Sequence, residues 1–498
     1  MDANLPHMFP PATPREFGFF IDGAFIPAGN RPKFNRLSPA HGTPVTIIPK
    51  CTPADLDLAV SAARKAFNDR RWSGLSGGDR AAVLLRAAGI IRDRKNELAY
   101  WETLENGKPI AQAKGEIDGC IACFEHAAGT ARALHGDAFN NLGDGMMGLV
   151  TREPIGVVGI ITPWNFPFLI LCERVPFILA SGCTIVTKPS EVTSATTLLL
   201  AEILTEAGLP AGCYNVVTGS GSTIGQAMAE HLDIDMLSFT GSTAVGRSIL
   251  SAAGGNFKKL GLELGGKNPQ IVFADADLDD AADGVAFGIV FNSGQCCVSG
   301  SRLIVERSVA AAFELKLAAK MARIRIGDPL DPMTQAGAIT TSAQNDTILR
   351  YIALGQAEGA RLVCGGQSIA GSGQFIAPTI FADVTPDMTI ARDEIFGPVL
   401  CIMAFDTIEQ AIALANDTVY GLAASVWSKN IDTALTVTRR VQAGRFWVNT
   451  TLAGGPELPI GGFKQSGWGR EAGVAGVEEY TQIKSTHIAI GKRSHWVD

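Results

Sequence analysis

The chain has 498 residues, more than one hydrophobic core usually supports, so two or three domains are expected. Its 46% apolar and 18% charged content is that of a globular enzyme rather than a disordered chain. A net charge of −7 argues against a nucleic-acid partner, no apolar run reaches transmembrane length, and the first residues lack the layout of a signal peptide. A soluble, cytoplasmic protein without a membrane partner is expected.

Residues 1–17 are rich in proline and read as an extended arm, and 19–27 as a hairpin around Asp22-Gly23. Thr52 reads as a helix N-cap before Pro53 and Asp55, with Leu56, Ala59, Val60, Ala63 and Phe67 as the buried stripe. Apolar steps of three and four predict further helices over 78–106 and 116–134. The β-branched run 156–161 reads as a strand buried on both faces. Helix 168–182, strand 183–189, helix 194–208, strand 214–219, helix 223–232, strand 236–241 and helix 243–253 then alternate. That alternation predicts a doubly wound α/β domain with a parallel sheet. Strands 268–273, 301–306, 398–405, 424–428 and 445–449, with a long helix over 309–323, predict a second α/β domain. The apolar strand 484–490 is left over at the end.

Ten cysteines are scattered along the chain, which is no disulfide framework and fits a reducing compartment. Cys120 and Cys123 form a CxxC inside a predicted helix. No second pair or histidine cluster completes a metal site, so helix packing is expected and no metal. The cysteines of FNSGQCCVSGSR (291–302) stand out, because flanking glycines give a thiol an approachable backbone. Upstream, Glu263 sits among glycines and leucines in KKLGLELGGKNPQIVF. A carboxylate so poorly solvated has its pKa pushed towards the range of a general base.

These two segments resemble the paired signatures of the NAD(P)-dependent aldehyde dehydrogenase superfamily. ITPWNFP (161–167), TKPSE (187–191), FTGSTAVG (239–246), EIFGPV (394–399) and PIGGFKQSGWGRE (459–471) follow in the family's order, over about 20–490. The resemblance implies the aldehyde dehydrogenase fold, with two parallel-sheet α/β domains and a small β oligomerisation element. Its domains would be 1–131 with 152–262 for NAD, 263–479 for catalysis, and 132–151 with 480–498 for assembly as a homodimer or homotetramer. Strand 484–490 would pair near 148–152.

Strand–glycine–helix junctions favour phosphate, because helix-start amides and the helix dipole both meet an anion. Two qualify, 218–225 with Gly221 and Gly225, and 240–246 with Gly241, Ser242 and Val245. GSTAVGRS is one residue from a P-loop, but arginine poorly replaces the compact phosphate-binding lysine, so a nucleotide triphosphatase is disfavoured. The resemblance places Lys188, Ser190 and Glu191 at the adenine-side ribose, where Glu191 would repel a 2′-phosphate; NAD is favoured, with NADP possible. It gives Glu394 and Phe396 to the nicotinamide ribose and ring, and Ile161, Thr162, Pro163, Trp164, Phe239 and Leu264 to the walls.

For chemistry, the resemblance makes Cys297 the nucleophile, Asn165 and the Cys297 N–H the oxyanion hole, Glu263 the base that hydrolyses a thioester, and Glu471 a relay behind it. Relatives that transfer the acyl group to coenzyme A usually lack the acid at 263, so a carboxylic acid is the expected product. A thiol esterase on Cys297 is the alternative from another class. Many relatives carry Trp-Lys where Glu173 and Arg174 stand here. Phe166 and Phe291 supply apolar walls for the aldehyde. Glu116, Asp118, Glu173 and Glu457 suggest an acidic mouth suited to an ω-amino or betaine-type aldehyde. Arg174 keeps open a carboxylate-bearing semialdehyde, and a broad aliphatic range is the remaining alternative.

Overall fold

A computed structural model describes residues 9–371, 373–492, 496 and 497, so the expected arm lies partly outside the described residues. Two sheets dominate. The first has eight strands, and five neighbours in it run parallel: Lys259–Glu263, Met236–Thr240, Val157–Ile161, Thr184–Lys188 and Tyr214–Val216. The hairpin Phe19–Ile21 and Ala24–Ile26 closes one edge antiparallel, turning at Asp22 and Gly23, both at positive φ. The second sheet has seven strands; Thr379–Ala382, Val399–Phe405, Arg302–Glu306, Pro269–Val272, Ala423–Trp427 and Arg445–Val448 are parallel. Most of these strands are buried along their whole length, as continuous β-branched runs between helical layers require.

Helix Pro53–Asn68 begins as predicted: Thr52 and Asp55 form a capping box, and Leu56, Ala59, Val60 and Ala63 are buried. The expected helix 78–106 is two, Gly77–Asp93 and Lys95–Asn106, because Arg94 leaves helical geometry, at φ −94° and ψ 12°, with its guanidinium held by Glu97 and Glu202. The expected helix 116–134 begins earlier, at Ile110, and ends at Ala133. The helix expected over 223–232 is a wide turn, Gly221–Gly225, running into Gln226–Glu230.

The expected helix 168–182 also divides, into Pro167–Cys172 and Val175–Ser181. Pro176 has no N–H for the Cys172 carbonyl and its ring crowds that carbonyl. The chain therefore turns at Glu173 and Arg174, and the break aims Arg174 at the first sheet. Strand Thr481–Ala489 pairs antiparallel with Met146–Pro154 along its whole length, and Asp137–Phe139 completes a three-stranded sheet apart from the other two. Among the described residues, no helix is long and apolar enough to cross a membrane.

Candidate active site

Sheet register sets the site's baseline. Lys188 lies level with Ile161, Ile161 with Phe239, and Thr240 with Glu263. Four neighbouring strands thus end on one edge, where open parallel sheets bind ligands. Lys188 is buried and donates to the Pro189 carbonyl at 2.8 Å, with Glu191 3.6 Å away; burial lowers its pKa and Glu191 opposes that. Ser190 is buried beside it, and the Glu191 side chain is 35% exposed. Two serines cap the junctions: Ser220 Oγ accepts from the Thr223 N–H at 3.2 Å, and Ser242 Oγ from the Val245 N–H at 3.3 Å. A Cβ at Gly225 would stand 3.8 Å from Ile161 and 3.9 Å from Lys188, and Gly221 faces open space. The glycines leave clear room above the strand ends that would admit a dinucleotide's ribose and phosphates, so these residues fit NAD.

A cavity of about 300 Å³ runs from Ser242 past Trp164, Leu264, Glu394 and Phe396 to Cys297. Trp164 and Phe396 meet edge to face at 5.4 Å. Glu394 Oε1 accepts from the Gly266 N–H at 3.1 Å, and a Cβ at Gly265 would lie 2.1 Å from the Glu394 carboxylate, so glycine there permits the approach. Burial raises the Glu394 pKa to about 7, against the Gly266 N–H and the Lys267 charge. A larger cavity of about 600 Å³, beyond Phe291 and lined by Phe287, Gln112 and Arg323, does not include Cys297 among its walls.

The two cysteines separate cleanly. Cys296 is buried with Phe166 and Ile170, while Cys297 is half-buried and opens on the cofactor cavity. The Cys297 thiol is pushed well above its ordinary pKa, first by its hydrogen bond with Cys296, then by burial and by the charges of Cys296, Glu394 and Glu263. It rests as the neutral thiol. Asn165 is buried, and one hydrogen of its amide goes to the Gln295 carbonyl at 3.0 Å. The other is free to meet an oxyanion.

Glu263 ends its strand buried, with Oε1 lacking any hydrogen-bond partner, and its pKa rises to about 8. Burial is the main cause; Glu471 and Glu173 add to it, and Arg174 works against it. Glu471 is also buried, accepting from Ser238 Oγ at 2.9 Å and from the Tyr480 hydroxyl at 2.5 Å. Burial raises its pKa as well, opposed by Arg174, Tyr480 and Ser238.

Two expectations about the substrate side are corrected. Arg174 is 2% exposed and fully engaged, donating to Ser238 Oγ at 3.0 Å, Thr240 Oγ1 at 2.7 Å and the Ile170 carbonyl at 2.8 Å, with Glu471 at 3.3 Å. It holds Glu471 and cannot read a substrate carboxylate. Glu116 is not at a mouth: it is 6% exposed, its carboxylate 2.5 Å from the Lys108 ammonium and 2.7 Å from Gln112 Nε2. Asp118 is exposed and pairs with Lys95 at 2.6 Å. Phe166 stacks on Phe291 at 5.8 Å, with Ile170 and Leu169 beside them. Glu173 stands one helical turn beyond Leu169. Burial pushes the Cys123 thiol well above its ordinary pKa, and the charges of Glu173 and Glu457 add to that; Cys123, like Cys120, is buried on its helix. Glu457 is exposed, on the loop that carries Gly454 and Gly455.

Sequence reasoning missed Tyr480 and Ser238, which hold Glu471, and Lys108, whose ammonium sits 4.5 Å over the Phe166 ring. It also missed Asn106 and Asn292. No local pattern marks any of them, because each matters only through what it meets once the chain has folded, as Ser238 meets Glu471 and Asn292 meets Asn165.

Residues 25–486 match the aldehyde dehydrogenase family. A crystal structure of an NAD-dependent aldehyde dehydrogenase from Sinorhizobium meliloti is 50% identical, with a TM-score of 0.96, over 98% of this chain and 97% of that one. Aldehyde dehydrogenase family 2 member C4 of Arabidopsis thaliana is 43% identical over 96% of both chains. A betaine aldehyde dehydrogenase from Staphylococcus aureus, in complex with NAD+, is 34% identical with a TM-score of 0.94, over 97% and 99% of the two chains. Cavity, thiol and carboxylates agree with that match over the whole chain: it belongs to the aldehyde dehydrogenase family, as an oxidoreductase that uses NAD.

Proposed function

We propose that this enzyme converts an aldehyde carrying a cationic group, of the ω-amino or betaine type, to its carboxylic acid through a thioester on Cys297. The observation that carries the substrate class is Glu173. Its carboxylate is half-buried and has no side-chain hydrogen bond or ion pair among the described residues. It lies one turn beyond Leu169 and Ile170, which pack with Phe166 and Phe291 against Cys296. A partly desolvated carboxylate without a paired cation favours a cation brought to it. Burial raises its pKa, and Arg174 and Arg445 bring it back towards ionisation. Glu457 extends the same acidic wall towards solvent. A relative of 34% identity bears the name betaine aldehyde dehydrogenase.

The chemistry follows from the side chains. The Cys297 proton passes to solvent, and the thiolate adds to the aldehyde carbon, leaving charge on oxygen. The free Asn165 amide hydrogen and the Cys297 N–H meet that oxyanion. Bound NAD supplies the hydride acceptor. Glu263 then takes a proton from water as the water oxygen attacks the thioester carbon, and the C–S bond breaks to return the thiolate. Glu471 receives the proton behind Glu263. Residues 1–131 with 152–262, 263–479, and 132–151 with 480–498 form three domains in this reading. The last, with Ile483 and Ile488 exposed on an open strand edge, joins copies into a homodimer or homotetramer.

The test is the initial rate of NAD reduction with size-matched aliphatic, ω-amino, trimethylammonium and ω-carboxylate aldehydes, with Cys297→Ala as control. Cationic aldehydes are expected to lead in kcat/KM, and Glu173→Gln to cost them about tenfold while sparing the aliphatic one. Equal rates for all four would remove Glu173 from substrate choice. Ester hydrolysis without any NAD reduction would overturn the chemistry.

A further inference from the structure

The oxyanion donor and the nucleophile belong to different parts of the chain, Asn165 at the end of the first sheet and Cys297 on the loop after helix Leu278–Val290. Something must hold the two loops in register, because a misplacement of about 1 Å can cost 10²-fold in rate. Asn292 spans the gap. It is 1% exposed, and its amide donates to the Asn165 carbonyl at 2.8 Å and to the Gln295 carbonyl at 3.3 Å. The Gln295 carbonyl is the one that also anchors the Asn165 side chain. One amide therefore fixes both the backbone and the side-chain anchor of the oxyanion donor. From the other side, fully buried Asn106 donates to the Trp164 carbonyl at 2.9 Å and to the Asn165 carbonyl at 3.3 Å.

The backbone at Asn292 supports the same role. Asn292, Ser293 and Gly294 all have positive φ, at 49°, 54° and 72°. Asparagine tolerates that region better than most residues, and three in a row persist only where the surroundings over-determine them. The surroundings are on hand: the Asn292 N–H donates to Gln112 Oε1 at 3.0 Å, and Ser293 Oγ to the Gly337 carbonyl at 2.8 Å.

We propose that Asn292, backed by Asn106, is a positioning residue that clamps the Asn165 and Gln295 peptides together and so aims the free Asn165 amide hydrogen at the oxyanion. The proposal rests on Asn165 being the oxyanion donor. Its test is a double-mutant cycle of Asn292→Gly and Asn165→Ala, read as single-turnover NAD reduction. Glycine accepts the positive φ at no cost, so this variant removes the amide and keeps the turn. Asn292→Gly alone should lower kcat about ten- to hundredfold, less than the 10²–10³ of losing an oxyanion donor outright. KM, NAD affinity and the rate of Cys297 alkylation by iodoacetamide should stay near wild type. In the Asn165→Ala background the same change should have almost no further effect. Equal factors in both backgrounds, or parallel losses in alkylation and NAD affinity, would overturn the clamp. If Asn165→Ala alone were near wild type, the oxyanion assignment itself would fall. Should Asn292→Gly unfold, Asn106→Ala in the same cycle gives the same two outcomes.

Discussion

Glu263→Gln tests the base most directly, and the structure gives its magnitude. Burial without a partner on Oε1, with Glu471 and Glu173 nearby, carries the carboxyl from 4.5 to about 8, a difference of about 5 kcal/mol between charged and neutral forms. Only the ionised form accepts a proton. About a tenth of it is ionised at pH 7 and about nine tenths at pH 9, so thioester hydrolysis should rise about tenfold across that range and then level. Glu263→Gln should give a burst of one NADH per site, slow turnover, and no rise. Stability carries the opposite sign. The folded carboxyl keeps its proton up to about 8 while the unfolded chain loses it near 4.5, so this contribution is full below 4.5 and is lost as pH rises through about 8. Glutamine lacks that loss and should melt less pH-dependently between pH 5 and 9. Rapid-quench measurement of the acyl-enzyme against pH decides the rate claim. Flat hydrolysis from pH 7 to 9 in the wild type, or an unchanged profile in Glu263→Gln, would refute the reasoning.

Arg174→Met removes the guanidinium that faces Glu471, Glu173 and Glu263; stability should fall by about 3–5 kcal/mol, and the pH–rate profile should move to higher pH, as urea unfolding and single-turnover rates would show. An unchanged profile would mean that Arg174 does not set the Glu263 titration. Lys108→Met leaves Glu102 and Glu116 buried without their cation and should cost a similar amount in urea unfolding, whereas Glu116→Gln keeps Lys108 beside Glu102 and should leave the preference for cationic aldehydes unaltered. A preference lost in Glu116→Gln would return that acid to the substrate channel.

Motif-bearing segments were legible in the sequence because their physics is local. The capping box at Thr52 and Asp55, the strand 156–161 and the alternation after it follow from patterns within a few residues. The pair Cys296 and Cys297, and Glu263, likewise stand out by their immediate neighbours, and the family resemblance then picks Cys297. What the sequence hid depends on where side chains go after the chain folds. Glu116 and Glu173 look alike on paper, yet Lys108, inward beneath Phe166, pairs with one, and among the described residues no ion pair holds the other. Arg174 reads as a surface or substrate arginine until Pro176 breaks its helix and turns it onto Ser238 and Thr240. The clamp at Asn292 depends on three consecutive positive-φ residues that no propensity foretells.

The charge balance around Glu263 explains what Arg174 does. Two buried carboxyls, Glu263 and Glu471, and the half-buried Glu173 surround the one guanidinium of Arg174; burial holds each above its ordinary pKa and Arg174 opposes the shift. Lysine could give up a proton in such a setting; arginine does not. Arg174 is therefore a fixed charge and not a relay. Its charge opposes the burial that raises the Glu471 pKa, while Tyr480, whose own pKa burial pushes far up, donates its hydroxyl hydrogen to Glu471. If Glu263 is the base, as proposed, proton movement is left to the carboxyls: Glu263, whose Oε1 has no partner, and Glu471, held by Ser238 and Tyr480.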